Sequence, residues 1–116
     1  MVMIYGIPNC DIVKKSLDWF SKKKIPFQFH NFKTQGISES KLLSWINNAG
    51  LDRVINKRST TWRNLSPEKQ AGMSDVSKAI EILREEPSII KRPVVESERL
   101  LLIGFNEQDY KNNFAH

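Results

Sequence analysis

The first 32 residues alternate between short apolar runs and one amphipathic pattern. Residues 2 to 5, Val-Met-Ile-Tyr, form an apolar run that Gly6 closes, which is typical of a strand. Between Ile12 and Phe20 the apolar residues recur at helical spacing, and phenylalanines then alternate with polar residues near positions 27 to 31. A strand, a helix and a second strand in so short a segment predict a parallel pair of strands joined by a crossover helix.

The middle of the chain is predicted to be helical. Ser38 can cap a helix that ends at Gly50, because the apolar residues between them recur at helical spacing. A second helix is expected to begin at Ser66, since this residue is followed by a proline and an acid, both favoured in a first helical turn. A third helix begins at Ser74 or Asp75 and carries its apolar residues along one face.

Strand patterns return near the end of the chain. Val94-Val95 and Leu100 to Ile103 are apolar runs joined by the polar residues 96 to 99, which predicts an antiparallel hairpin. A last helix is expected to begin near Asn106. The predicted order is therefore strand–helix–strand, a helical block, and strand–strand–helix. No internal repeat or linker sequence divides the chain.

Composition and charge narrow the class of protein. The chain has 116 residues, of which 40% are hydrophobic and 27% charged, as in a soluble globular domain. The net charge of +5 favours anionic partners. A single cysteine cannot form an intramolecular disulfide, the N-terminal residues lack the pattern of a signal peptide, and no apolar run is long enough to span a bilayer. We therefore expect a cytoplasmic protein with no membrane partner.

Cys10 lies between the first predicted strand and the first predicted helix. It is either a small buried apolar residue or a reactive thiolate, because the unpaired N–H groups of a helix N-terminus stabilise an anion. Lys14, one helical turn later, adds positive potential, whereas the carboxylate of Asp11 opposes it. No second cysteine stands at Val13, so any redox chemistry is monothiol and the resolving thiol comes from another molecule.

The segment "IIKRPVV", residues 89 to 95, places a basic residue before a proline that opens a strand. The Arg92–Pro93 bond is either an ordinary surface turn or a cis bond. In a strand–helix–strand and strand–strand–helix arrangement, the loop that enters the third strand lies beside the N-terminus of the first helix. A cis bond there would present Arg92 to Cys10.

The segment "NKRSTTWRNL", residues 56 to 65, carries Arg58 and Arg63 around two threonines and a tryptophan. Forked guanidinium donors match the geometry of oxyanions and carboxylates. The same composition also fits a basic loop whose tryptophan packs on the core. Both interpretations stay open on the residues alone.

The motifs "YGIPNCD", "TTWR" and "IIKRP" occur in an order that resembles the arsenate reductase (ArsC)-related family, most of all its YffB-type small thiol reductases. The similarity runs nearly end to end, through "LLIGFNEQDY". It implies an α/β fold with a thioredoxin-like mixed sheet (β-α-β … β-β-α) and a helical insertion. The expected organisation is one domain over residues 1–116, with a sheet core at about 1–32 and 87–116 and the insertion at about 36–86.

The resemblance also implies roles for individual residues. Cys10 would be the nucleophile, and Arg63 and Arg92 would hold an anion beside it. The predicted substrate- and anion-binding residues are Asn9, Lys14, Arg63, Arg92 and Pro93.

One departure from the arsenate reductases concerns the final hairpin. Those enzymes carry a further arginine close to the stretch that matches Leu102 to Phe105, where this chain has Ile103-Gly104-Phe105. Arg99 is near in sequence but does not match that position. Loss of one oxyanion ligand should weaken arsenate binding.

The preferred interpretation is a glutathione-dependent monothiol reductase that acts through a Cys10 thiolate. Glutathione would be the co-substrate, with no bound cofactor, and the substrate a small disulfide or an oxidised anion; glutaredoxin is a further candidate partner. The alternatives are an Spx-like regulator that binds RNA polymerase and an arsenate reductase proper. Nucleic-acid binding is not expected because no reading motif is present. No metal is expected, since Cys10, His30 and His116 lack ligand spacing.

Overall fold

A computed structural model describes residues 1–98 and 100–114 of the chain; Arg99 and His116, both considered above, lie outside the described residues. The strands are β1 (Val2–Gly6), β2 (Phe27–Asn31), β3 (Val94–Ser97) and β4 (Leu100–Ile103). The helices are α1 (Asp11–Lys22), α2 (Glu39–Ala49), α3 (Leu51–Val54), α4 (Thr60–Arg63), α5 (Pro67–Gly72), α6 (Val76–Glu85) and α7 (Glu107–Phe114), with a short 3-10 helix at Pro87–Ile89. Among these helices none is long and apolar enough to cross a membrane.

The chain forms two compact units. The first combines residues 1–32 with residues 92–116 and carries the sheet, α1 and α7. The second is the continuous segment 33–91, which carries the other helices.

The sheet of the first unit has the order β2-β1-β3-β4. β1 and β2 run parallel, as the opening strand–helix–strand pattern predicts, whereas β3 is antiparallel to both β1 and β4. The register pairs Tyr5 with His30 on one side and with Val94 on the other. This mixed sheet has the thioredoxin-like arrangement, so the predicted fold class is confirmed.

One face of the sheet packs against α1 and α7. Its centre is an apolar cluster drawn from all these elements: Val2, Ile4, Trp19, Phe20, Val95 and Tyr110. Aromatic rings meet edge to face within it, with the centroids of Trp19 and Tyr110 5.3 Å apart. The apolar spacing of α1 is thus explained by burial against the sheet.

The second unit is built around contacts of α2 with α3 and α6. Ser38 caps α2 and Asp75 caps α6, each by accepting hydrogen bonds from backbone N–H groups of the first turn. Ile55 and Ile90 form an isolated antiparallel bridge, and the N–H of Lys91 donates to the carbonyl of Val54 at 2.7 Å. The middle of the unit's chain is therefore held to its C-terminal end by backbone hydrogen bonds.

Three details differ from the sequence-based expectations. α3 and α4 are helices of four residues, too short to show a hydrophobic period. Gly6 is the last residue of β1 rather than the first residue after it. Glu96 and Ser97, which were expected in the connection of the last hairpin, belong to β3 and pair with Leu101 and Leu100.

Candidate active site

Cys10 is the N-cap residue of α1. Its backbone is extended (φ −120°, ψ 122°), and its side chain makes no capping hydrogen bond. The Cys10 carbonyl accepts the N–H of Lys14 at 3.0 Å. The N–H groups that precede Lys14 in the first turn have no carbonyl acceptor within the helix, and they lie at the same end of α1 as Cys10. The side chain is half-buried and is a free thiol.

The close approach of β1 and α1 holds this helix end in place. A Cβ atom on Gly6 would lie 2.8 Å from Cγ2 of Val13, which is inside van der Waals contact. Val13 is fully buried and occupies the position where a second cysteine would stand in a two-cysteine motif. Gly6 therefore allows the first turn of α1, and Cys10 with it, to lie directly against the end of β1.

The Arg92–Pro93 peptide bond is cis, which is one of the two alternatives that the sequence left open. Val94, the next residue, pairs with Tyr5 of β1, so the entry to β3 lies beside the exit from β1. The carbonyl of Pro93 accepts the N–H of Gly104 at 2.8 Å, which brings the end of β4 to the same edge of the sheet. Three chain segments converge at this edge, and Cys10 follows four residues after the last residue of β1.

The remaining predicted site residues fall into two groups. Asn9 and Lys14 are exposed next to Cys10, and Arg92 is half-buried at the entry to β3, all in the first unit. Arg63 belongs to the second unit, where it is exposed at the end of α4. α4 begins at Ser59, whose hydroxyl accepts the N–H of Trp62 at 3.1 Å.

The electrostatic environment of Cys10 is positive on the helix axis. The amino end of α1 carries the partial positive charge of the helix dipole, and Lys14 lies one turn along. Asp11 in the first turn is the opposing charge. In β1, burial, and then the hydrogen bond and charge of Glu96, raise the pKa of Tyr5 far above its usual range, so this phenol stays neutral.

Sequence reasoning missed three residues that support the site. Ser16 and Tyr110 share a buried hydrogen bond of 2.9 Å, and the Tyr110 hydroxyl donates to the carbonyl of Gly104 at 3.1 Å. Gly104 has a φ of +90°, which glycine adopts without strain. A glycine directly after an apolar strand was the one signal available for it. No group of three potential ligands capable of holding a metal ion occurs in residues 1–98 and 100–114.

Comparisons with solved structures find proteins of similar fold and sequence. The solved structure of a YffB protein has a TM-score of 0.92 and 37% identity, and the match covers 97% of both chains. An arsenate reductase (ArsC) related protein from Brucella melitensis has a TM-score of 0.73 and 33% identity, covering 97% of this chain and 93% of that one.

A regulator is also among the relatives. The global transcriptional regulator Spx of Streptococcus pyogenes serotype M3 is 28% identical over 114 residues, covering 96% of this chain and 83% of the regulator.

The model of the ArsC family matches residues 5–113. The chain therefore belongs to the ArsC family.

Proposed function

We propose that this protein is a glutathione-dependent monothiol reductase of the cytoplasm, with the Cys10 thiolate as its nucleophile. The observation that carries the proposal is the position of Cys10. The thiol is half-exposed at the amino end of α1 and makes no capping hydrogen bond. It lies at the edge of the sheet where the Arg92–Pro93 loop enters β3. Membership of the ArsC family supports thiol chemistry at this position.

The reaction is two successive thiol–disulfide exchanges. The Cys10 thiolate attacks the glutathione sulfur of a mixed disulfide, forms a Cys10–glutathione disulfide, and releases the substrate as a thiolate, which takes up a proton. A second glutathione thiolate then attacks the glutathione sulfur of that intermediate. Oxidised glutathione leaves, and Cys10 returns to the thiolate. The net reaction converts the mixed disulfide and one glutathione into the free substrate thiol and oxidised glutathione, and no second cysteine of the chain is needed.

The cationic residues would serve glutathione rather than the sulfur exchange itself. Arg92, Arg63 and Lys14 are proposed to bind the carboxylates of glutathione, because guanidinium and ammonium donors suit such groups. Asn9 and Pro93 would contact the peptide part beside the sulfur. A small disulfide or an oxidised anionic compound is the proposed substrate class, and glutaredoxin is the proposed protein partner for resolving the intermediate.

Turnover of a glutathione mixed disulfide tests the proposal. The substrate is the mixed disulfide of glutathione and 2-mercaptoethanol, with glutathione reductase and NADPH reporting oxidised glutathione. We expect turnover by the natural protein, one glutathione on Cys10 by mass spectrometry, and loss of both in Cys10→Ser. Ser21→Ala, an exposed change on the same helix, is the matched control and should keep both. Turnover that survives in Cys10→Ser would overturn the proposal.

The similarity to Spx over most of the chain favours one second candidate, a regulator that binds RNA polymerase. Spx-type proteins commonly use a two-cysteine switch, and Val13 replaces the second cysteine here. Binding to the C-terminal domain of the polymerase alpha subunit, compared with the turnover assay, separates the candidates. Tight binding that Cys10→Ser preserves, together with absent turnover, would assign the regulator instead.

A further inference from the structure

An open groove of about 400 Å³ runs along α1 on the side that meets the start of α7. Its buried wall is formed by Trp19, and Phe105 contributes a half-buried ring. Lys15, Lys22 and Lys23 form its exposed rim. We refer to this feature as the α1 groove. None of the residues assigned to the thiol reaction lines it.

The charge of the α1 groove is net positive. Two carboxylates also line it, those of Asp18 and Glu107, but Glu107 already pairs with Lys111 at 3.6 Å. Within the described residues, Lys15 and Lys22 form no ion pair, so their ammonium groups are available to an anionic ligand. Such a surface attracts acidic groups through water over roughly one Debye length, about 10 Å.

The aromatic wall of the groove has a cation beside it. Trp19 is buried, with a side chain only 7% exposed. The ammonium of Lys23 lies 6.0 Å from the centre of the same ring system, so charge and aromatic surface are adjacent.

The shape of the groove favours a peptide over a free small molecule. Small-molecule sites enclose most of their ligand's surface, whereas this groove is open to solvent along its length. From Lys15 to Lys23 it follows α1 for about 12 Å, the span of three or four extended residues. We propose that the α1 groove docks an acidic segment of a partner protein, with one apolar side chain against Trp19 and Phe105 and carboxylates on the lysines.

This docking surface does not depend on thiol chemistry, so it can be tested without a disulfide. The probe is the acetylated, amidated pentapeptide Glu-Glu-Leu-Glu-Glu, added to the full ¹⁵N-labelled chain. The three tryptophans give three indole N–H signals, and Trp19→Phe identifies the one that matters. We expect that signal to shift on titration, and the affinity to weaken several-fold as salt rises.

A matched pair of charge-reversal variants locates the site. Lys22→Glu with Lys23→Glu should weaken peptide binding about fivefold to tenfold, since two exposed ion pairs become repulsive contacts. Lys69→Glu with Lys78→Glu makes the same change in net charge in the second unit and should leave affinity unchanged. Circular dichroism confirms that both variants are folded.

The following outcomes would overturn the proposal that the α1 groove docks an acidic segment. If Gln-Gln-Leu-Gln-Gln binds as tightly as the acidic peptide, charge has no role in binding. If the two double variants lose the same affinity for the acidic peptide, the effect comes from the net charge of the protein and not from the groove. An unshifted Trp19 signal places any binding elsewhere. Tighter binding of naphthalene-2-sulfonate than of the acidic peptide at Trp19 would assign the groove to small organic anions.

Discussion

The hydroxyl groups of Ser16 and Tyr110 form a buried hydrogen bond of 2.9 Å between α1 and α7. Tyr110 donates its single proton to the carbonyl of Gly104, so Ser16 is the donor to the tyrosine oxygen. This chain of hydrogen bonds ends at Gly104, whose N–H donates to the carbonyl of Pro93. The helix that bears Cys10 is in this way connected to the loop opposite its amino end.

Removal of the tyrosine hydroxyl should destabilise the protein more than the loss of one ordinary hydrogen bond. Tyr110→Phe keeps the buried ring but leaves the hydroxyl of Ser16, which is fully buried, without its acceptor. We expect a loss of about 1–3 kcal/mol in the free energy of unfolding, measured by urea denaturation. Adding Ser16→Ala to Tyr110→Phe should recover part of it, since the Ser16 hydroxyl is then no longer left unpaired; strict additivity of the two changes would contradict this network.

The stability of the folded chain should fall in alkaline solution. Burial raises the pKa of Tyr110, although the Ser16 hydrogen bond opposes this, and burial followed by Glu96 raises the pKa of Tyr5. Below pH about 10 both tyrosines are protonated in the folded and unfolded chain, and their contribution is present in full. Above it, the unfolded chain releases these protons first, so stability is lost as pH rises toward the folded pKa values.

Urea denaturation between about pH 8 and about pH 11 measures this dependence. Tyr5→Phe should flatten the decline, because it removes one of the two tyrosines in the chain. Tyr110, which remains in this variant, provides the residual slope. An unchanged slope in Tyr5→Phe would contradict the prediction.

Gly6→Ala should destabilise the protein because the new methyl group has no space. Its Cβ would lie 2.8 Å from Cγ2 of Val13, and β1 or α1 must shift to accommodate it. The expected cost is about 1–3 kcal/mol in the free energy of unfolding, as for other overpacked cores. Gly72→Ala is the matched control, since the nearest side-chain atom to its Cβ would be Cδ of Lys78 at 3.7 Å, an ordinary van der Waals distance. If both variants lost the same stability, the close approach would not be the cause.

Arg92→Ala should weaken the reaction with glutathione mixed disulfides while the chain stays folded. A lost charge-assisted bond to a glutathione carboxylate predicts about a tenfold fall in kcat/KM. Lys91→Ala removes the neighbouring exposed cation and should change kcat/KM little. Equal effects of the two substitutions would mean that Arg92 acts only through general charge.

Arsenate reduction should be weak compared with disulfide reduction. The stretch Ile103-Gly104-Phe105 has no guanidinium to hold a third oxygen of the anion. With glutathione and glutaredoxin supplied, we expect the rate with arsenate to lie at least about tenfold below that with the mixed disulfide. Comparable rates would show that the missing arginine is dispensable and would favour an arsenate reductase proper.

The sequence predicted the elements whose signals are local. α1 and α6 have long apolar periods, Ser38 and Asp75 are capping residues, and the cis bond stands at an Arg-Pro pair. α3 and α4 were not predicted because four residues are too few to show a hydrophobic period. The local signal for α4 was Ser59, a residue type favoured at helix N-caps.

Side-chain relationships across the chain could not be predicted in the same way. Ser16 and Tyr110 are 94 residues apart, and nothing in either neighbourhood indicates the other. The contact of Gly6 with Val13 depends on how closely a strand and a helix approach, which no periodicity encodes. The sequence did predict that Cys10 and the Arg92–Pro93 pair lie at one sheet edge, because the order of the elements determines which loops share an edge.

The discontinuous first unit has a consequence for the nascent chain. β1 finds its parallel neighbour within 32 residues, but its other neighbour, which places Glu96 opposite Met3, is made after the whole of segment 33–91. A ribosome needs several seconds for such a segment, at roughly 5–20 residues per second. During that interval one side of β1 presents unpaired backbone groups, while the inserted segment already contains both partners of each of its internal contacts. The pairing of β1 is therefore completed only after segment 33–91 and β3 have been synthesised.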